Sequence, residues 1–149
     1  MLRLVSNYQT LLVIEDDVDD YRLIESAFRK YGVENDIVHK SSGADAMDYL
    51  FGGGTHKKPG FIFLDLNLGD MSGIDILIKI KESDTLRDVP VVIFTTSHNP
   101  DDVKACYWAG ANAYVRKGDN LDDFHAAIKA LTGFWFEVAL VNGSAEAKP

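Results

Sequence analysis

The chain predicts a doubly wound α/β domain: a five-stranded parallel sheet with five helices covering both faces. Three observations carry that expectation. Short apolar runs alternate with stretches of helical periodicity along most of the chain. Four of the runs end in polar residues. Leu11-Leu12-Val13-Ile14 leads to Glu15-Asp16-Asp17, and Gly60-Phe61-Ile62-Phe63-Leu64 leads to Asp65. Val91-Val92-Ile93-Phe94 leads to Thr95-Thr96-Ser97, and Ala113-Tyr114-Val115-Arg116 delivers Lys117. Finally, the helical stretches open on capping residues and several close on glycine.

Taken in order, a strand over Thr10 to Ile14 precedes a helix over Val18 to Tyr31. The helix carries an apolar stripe of Val18, Tyr21, Ile24, Ala27, Phe28 and Tyr31. Asp19 and Asp20 suit its positive start, and Gly32 terminates it. A short strand over Asp36 to His39 follows. Ser41 or Ser42 caps the next helix, which packs Met47, Leu50 and Phe51 and frays at Gly52-Gly53-Gly54. The third strand ends at Asp65. Ser72 and Asp75 then start a helix bearing Ile74, Leu77 and Ile78. The fourth strand begins after Pro90. In Asn99-Pro100-Asp101-Asp102, a cap, a first-turn proline and two acids suit a helix start. Gly110 closes that helix, and Asn112 to Val115 is the fifth strand. Asp119 or Asn120 caps a last helix with Leu121, Phe124, Ile128 and Leu131. Strands and helices alternating in this way imply a parallel sheet with both faces covered.

The length of 149 residues suits one domain with a real core. An apolar fraction of 46% and a charged fraction of 26% are those of a folding chain. A net charge of -8 argues against direct nucleic-acid binding, which needs a basic face. The single Cys106 permits no internal disulfide and no zinc cluster; it reads as a packed helix residue. No apolar run approaches the roughly 20 residues of a bilayer span. Met1 to Thr10 lacks the apolar stretch of a signal peptide. The expectation is a soluble, cytoplasmic protein with no membrane association.

Asp65 carries the sharpest functional signal. A carboxylate at the end of a buried strand is costly unless its charge is used or compensated. In a parallel sheet the strand C-termini lie side by side, so acids, a hydroxyl and an amine share one crevice. Crowded carboxylates repel, and at least one resists ionising until a cation enters. Oxygen-only ligands suit a hard divalent ion, with Mg2+ the default. Asp16 and Asp65 would bind it directly, Glu15 directly or through water, and Asn67 through its backbone carbonyl. A carboxylate also serves as a nucleophile in aspartyl-phosphate chemistry. Mg2+ and Lys117 would neutralise the incoming phosphoryl charge, and Thr95 would donate a hydrogen bond to it.

These residues, in this order on alternating strands and helices, resemble the receiver domain of two-component response regulators. The resemblance covers roughly Leu11 to Leu131. It implies the flavodoxin-like strand order 2-1-3-4-5, with Asp65 accepting a phosphoryl group from a histidine kinase. It also implies Mg2+ at Glu15, Asp16 and Asp65. Thr95, Lys117 and Tyr114 would report phosphorylation to the face formed by the fourth helix, fifth strand and fifth helix. Such a protein is a phosphoacceptor rather than an enzyme acting on a separate substrate. Two departures stand out: Gly118 follows Lys117 where receivers usually have proline, and Gly69-Asp70 replaces a second usual proline. Without the proline, Lys117 is expected to be held less rigidly.

Residues 8–132 form the expected receiver domain, and 133–149 an aromatic C-terminal extension with a short tail from Gly143 to Pro149. The Phe134-Trp135-Phe136 stretch and the Phe94-to-Asn99 run resemble single-domain regulators paired with phytochrome-type kinases. By that resemblance the partner is a light-sensing histidine kinase, and the protein forms a homodimer through the face named above. Phe134, Trp135, Phe136 and Val138 are the expected dimer or partner surface. Gly133 leaves open whether this segment continues the last helix or turns into an extended strand.

Bland readings stand beside these. Alone, Glu15-Asp16-Asp17 is a solvated helix approach, Lys117 a surface charge and Tyr114 a packing residue. His39, His56, His98 and His125 are scattered, and His56-Lys57-Lys58 reads as a solvated loop. Gly52-Gly53-Gly54 lacks the Lys-Ser/Thr of a phosphate loop. The alternative function is a small aspartyl-phosphate-forming phosphatase. Such an enzyme places a second Asp two residues after its nucleophile, where this chain has Asn67. A carrier of FMN or a nucleotide would need a Gly/Ser/Thr-rich loop after the first strand, where this chain has three acids.

Overall fold

The computed structural model describes residues 9–54 and 58–139. The expected tail from Gly143 to Pro149, the His56-Lys57 pair and residue 8 lie outside them. Ten elements alternate: β1 (Leu11–Ile14), α1 (Val18–Lys30), β2 (Ile37–Lys40), α2 (Gly43–Phe51), β3 (Phe61–Leu64), α3 (Gly73–Glu82), β4 (Val91–Thr95), α4 (Pro100–Trp108), β5 (Ala113–Arg116) and α5 (Leu121–Glu137). All strand pairs are parallel, and the order is β2-β1-β3-β4-β5. This is the expected doubly wound arrangement.

Local chemistry accounts for the helix starts. Asp17, Ser42, Ser72, Asn99 and Asn120 each sit at an N-cap in extended backbone and accept a backbone N–H from the first turn. Each satisfies a donor that the helix leaves orphaned. Of the paired candidates, Ser42 and Asn120 are the ones used.

Strand residues alternate between two cores, as the period-2 geometry of a strand requires. Leu11, Val13, Phe61, Phe63, Val92 and Phe94 face α1 and α5. Leu12, Ile14, Ile62, Leu64, Val91 and Ile93 face α2, α3 and α4. The first core is aromatic. Phe63 stacks on Phe94 at 4.7 Å between centroids and meets Phe28 edge-on at 5.4 Å. Trp135 and Phe136 join it, each 5.7 Å from Phe61.

Several packing expectations need correction. Val18 is 50% exposed, because it opens α1 ahead of the turns that reach the sheet. Phe51 and Leu121, at the last and first positions of α2 and α5, are exposed for the same kind of reason. In α3 the buried face is Ile76, Leu77 and Ile80, and Ile78 points outward. A helix this rich in Ile does not reveal its inward face by spacing alone. The question left open at Gly133 is answered by α5, which passes through it without a break and runs to Glu137.

Gly73 ties the fold to the end of β3. A Cβ there would lie 2.2 Å from the Asp65 carbonyl oxygen and 2.8 Å from the Leu66 Cα. Both obstacles are backbone, so α3 starts against the chain that carries Asp65 only with glycine at this position. Gly73→Ala is expected to destabilise the protein by about 2 kcal/mol, the usual scale of overpacking. Urea denaturation would measure it as a lowered midpoint, and an unchanged midpoint would refute the close approach.

Candidate functional site

The strand register builds the site. Ile14 pairs with Leu64, so the chain delivers Glu15 and Asp65 as neighbours at the ends of β1 and β3. The Asp65 N–H donates to the Ile14 carbonyl at 3.0 Å. Thr95 pairs with Arg116, and the Lys117 N–H donates to the Thr95 carbonyl at 2.8 Å. The chain leaves β1 for β2 on one side of the sheet and returns to β3 on the other. The crevice at this reversal is where doubly wound sheets hold ligands.

Lys117 is the centre of the arrangement. Its Nζ donates to Glu15 Oε1 at 2.5 Å, Asp20 Oδ2 at 2.7 Å and Asp65 Oδ2 at 3.0 Å. The lysine, Glu15 and Asp65 are all buried. Burial works against the charged ammonium, yet the bonds to Asp20 and Glu15 and the charge of Asp65 outweigh it and raise the lysine above its ordinary value. Burial, and then the charge of Asp65, push the Glu15 carboxyl up to about 8, with Lys117 acting in the opposite sense. Asp65 Oδ1 also accepts the Asn67 N–H, at 3.4 Å.

Lys117 is thus held closely, contrary to the expectation drawn from the missing proline. The turn after it is made by Gly118 at a φ of 90°, among described peptide bonds that are all trans. A Cβ at Gly118 would stand 2.8 Å from the Asp123 Cβ, so glycine lets the loop tuck beneath α5.

Glu15, Asp16 and Asp65 each bring a carboxylate oxygen to within 4.8 Å of the others. Asp16 is exposed and the other two are buried, so the trio opens to solvent on one side. These oxygen donors fit a hard divalent cation. Asn67 is exposed on the loop beyond Asp65, which bridges to Ser72. Asp70 fastens that loop to α2: its two carboxylate oxygens accept the Gly43 and Ala44 N–H groups at 2.8 and 2.9 Å. Those bonds hold the Asp70 carboxyl below the usual carboxylate range.

A cleft of about 600 Å³ separates the Asn67-to-Ser72 loop from Thr95, Thr96 and Ser97. Thr95 is buried, and its Oγ1 accepts the Ser97 N–H at 3.4 Å. Tyr114 is half-buried, and its hydroxyl donates to the Ser97 carbonyl at 2.9 Å. Ser97 Oγ donates to Asp102 Oδ2 on α4 at 2.6 Å. Thr95, Tyr114 and α4 therefore meet at one serine.

The crevice thus gathers Glu15, Asp16, Asp65 and Lys117; Thr95 lines the adjoining cleft, and Tyr114 bonds to Ser97 in its wall. Of the four expected surface residues, Phe134 and Val138 are 52% and 66% exposed, but Trp135 and Phe136 are buried in the aromatic core. Helical spacing divides the four between two faces, one exposed and one packed on the core, so the segment is not a single apolar block. Trp108, 91% exposed on α4 beside the half-exposed Tyr107, adds apolar surface outside that segment. Asp20, which its place in the chain marks only as a helix-start acid, joins the site through Lys117. Its position one turn beyond the Glu15-Asp16-Asp17 run was the available signal.

A family profile for the response regulator receiver domain matches residues 11–129. The chain is similar to response regulator Rcp1 of Synechocystis sp., 34% identical over 132 residues that span 87% of this chain and 90% of Rcp1. Among solved structures it resembles the phosphorylated cyanobacterial phytochrome response regulator RcpA, with a TM-score of 0.85 and 33% identity. That match covers 91% of this chain and 99% of RcpA. It also resembles the Mn2+-bound form of Rcp1, with a TM-score of 0.84 and 33% identity over 89% of this chain and 98% of the other.

The buried ion cluster has a measurable consequence. Because Glu15 is raised above 4.5, the folded state holds its proton more tightly than the unfolded chain. Stability from this group is full below 4.5 and is lost as pH rises through about 8. Lys117→Met leaves the carboxylates unopposed and is expected to cost about 3 kcal/mol at alkaline pH. The loss should shrink as pH falls through about 8, where Glu15 takes up a proton, and be smaller at pH 5.5. Urea denaturation at both pH values measures this, and a loss independent of pH would contradict it.

Proposed function

Since the chain belongs to the response regulator receiver family, we propose that Asp65 accepts a phosphoryl group from a histidine kinase and that its phosphorylation switches the α4–β5–α5 face. The observation that carries this reading is the Lys117 ammonium 3.0 Å from Asp65 Oδ2, with the oxygens of Glu15 and Asp16 converging beside it. A carboxylate that can act as a nucleophile, one ammonium to meet phosphoryl oxygens and a trio of acids that fits a divalent cation support this reading together.

In the reaction an Asp65 carboxylate oxygen attacks phosphorus, the bond from phosphorus to the donor breaks, and the donor leaves with that bond's electrons. Glu15, Asp16 and Asp65 would hold Mg2+, with the Asn67 carbonyl as a further ligand. Bound there, the ion would supply positive charge opposite the transferring oxygens. Lys117 gives up part of its hold on Asp65 and pairs with the phosphoryl group. The Thr95 hydroxyl turns to donate to a phosphoryl oxygen, and Tyr114 follows through Ser97. The population then shifts towards a face that a partner binds better.

The output is a homodimer through α4, β5 and α5, where Tyr107, Trp108, Phe134 and Val138 present apolar surface. The likeness to RcpA and Rcp1 supports a phytochrome-type kinase as the phosphoryl source. No helix among the described residues is long and apolar enough to cross a membrane, in keeping with a cytoplasmic site of action.

Intact-mass analysis after acetyl phosphate and Mg2+ tests the assignment. One phosphoryl adduct is expected, lost on removing Mg2+. Asp65→Asn is expected to keep the fold and Mg2+ binding while losing the adduct; persistent labelling would place the acceptor elsewhere. Sizing of the same samples should show a larger species on phosphorylation. Trp108→Ala is expected to weaken its self-association by tenfold or more, on the scale of an interface hot spot; unchanged association would remove α4 from the interface.

A further inference from the structure

Lys117 has three N–H donors, and three carboxylates take them. Two of these acceptors, Glu15 at 2.5 Å and Asp65 at 3.0 Å, also belong to the trio whose oxygens converge within 4.8 Å. The third, Asp20 at 2.7 Å, stands outside that trio. It comes from the first turn of α1, and its side chain is 31% exposed where those of Glu15 and Asp65 are 2% and 9% exposed. The backbone after Lys117 turns at Gly118, which has no side chain to brace the lysine.

We infer that Asp20 is a positioning residue: it keeps the Lys117 ammonium tethered to α1 while a divalent cation takes the oxygens of Glu15 and Asp65. The inference rests on the metal-binding reading given above. A cation and the ammonium compete for the same two buried carboxylates. With Asp20 as a separate acceptor, Lys117 loosens its hold on them without leaving the crevice. It then stands charged beside Asp65, ready for phosphoryl oxygens. Without Asp20, all the donor capacity of Lys117 falls on Glu15 and Asp65, and an entering cation must displace it. Asp20 thus acts on the metal through Lys117 rather than by touching it.

Calorimetric titration of the unphosphorylated full chain with Mg2+ tests this without any phosphorylation. Asp20→Asn is expected to weaken Mg2+ binding about fivefold or more, the scale of one charge-assisted hydrogen bond. Asp20→Glu, which keeps the carboxylate, should remain within about twofold of the native protein. In a Lys117→Met background, Asp20→Asn should change affinity by less than about twofold, since the coupling partner is gone. Equal weakening in both backgrounds would mean simple through-space attraction and would overturn the inference. So would unchanged affinity for Asp20→Asn in the native background. A native protein that binds no Mg2+ would overturn the metal reading as well, which separates the two failures. If Lys117→Met does not fold, amine acylation followed by peptide mass spectrometry replaces it. At saturating Mg2+, Lys117 should be acylated several-fold faster in Asp20→Asn than in the native chain, and equal rates would overturn the tether.

Discussion

Glu15, Asp20 and Asp65 converge on one point at the end of the sheet, and without the Lys117 ammonium their mutual repulsion would drive them apart. Two of these acids and the lysine are buried. Each buried charge alone carries a desolvation penalty of several kcal/mol. The mutual pairing offsets part of that penalty, and the crevice remains an anionic site that favours cations. That residual imbalance is the physical basis of the proposed chemistry: a divalent ion and a phosphoryl group bring complementary charges.

The rest of the structure serves to place those groups. The parallel register sets Ile14 against Leu64 and Thr95 against Arg116, so the residues that follow, Glu15, Asp65 and Lys117, emerge beside one another at the strand ends. Two alternating cores clamp the strands from both faces. On the aromatic side, Trp135 and Phe136 extend the cover over Phe61, which makes the end of α5 part of the domain. Gly73 and Gly118 permit backbone approaches that any side chain would obstruct, one beneath Asp65 and the other just beyond Lys117.

The same economy links the site to the surface. Ser97 receives the Tyr114 hydroxyl, donates its N–H to Thr95 and bonds Asp102 at the start of α4. Ser97 therefore connects Thr95 to α4, the helix on which Tyr107 and Trp108 are exposed. Asp70 gives the opposite rim its own restraint by capping α2. The loop after β3 and the loop after β4 thus bond to different helices, α2 and α4, across one cleft.

The alternation of elements, four of the five caps down to a residue or a pair, and the convergence of Asp65, Glu15, Asp16, Thr95 and Lys117 are legible in the order of residues. These follow from local rules: apolar periodicity, capping chemistry and the requirement that parallel strands end together. The order of residues does not reveal the inward face of α3, where isoleucines crowd the helix, or the division of Phe134 and Val138 from Trp135 and Phe136. Those depend on the rotation of each helix against the sheet, which is set by packing. Only the tertiary structure brought Asp20 to Lys117, 97 residues away in the chain, because a through-space ion pair leaves no periodic trace in either segment. For the same reason it alone decided that Lys117 is held firmly without a following proline: three carboxylates from three different segments supply the restraint that the backbone lacks.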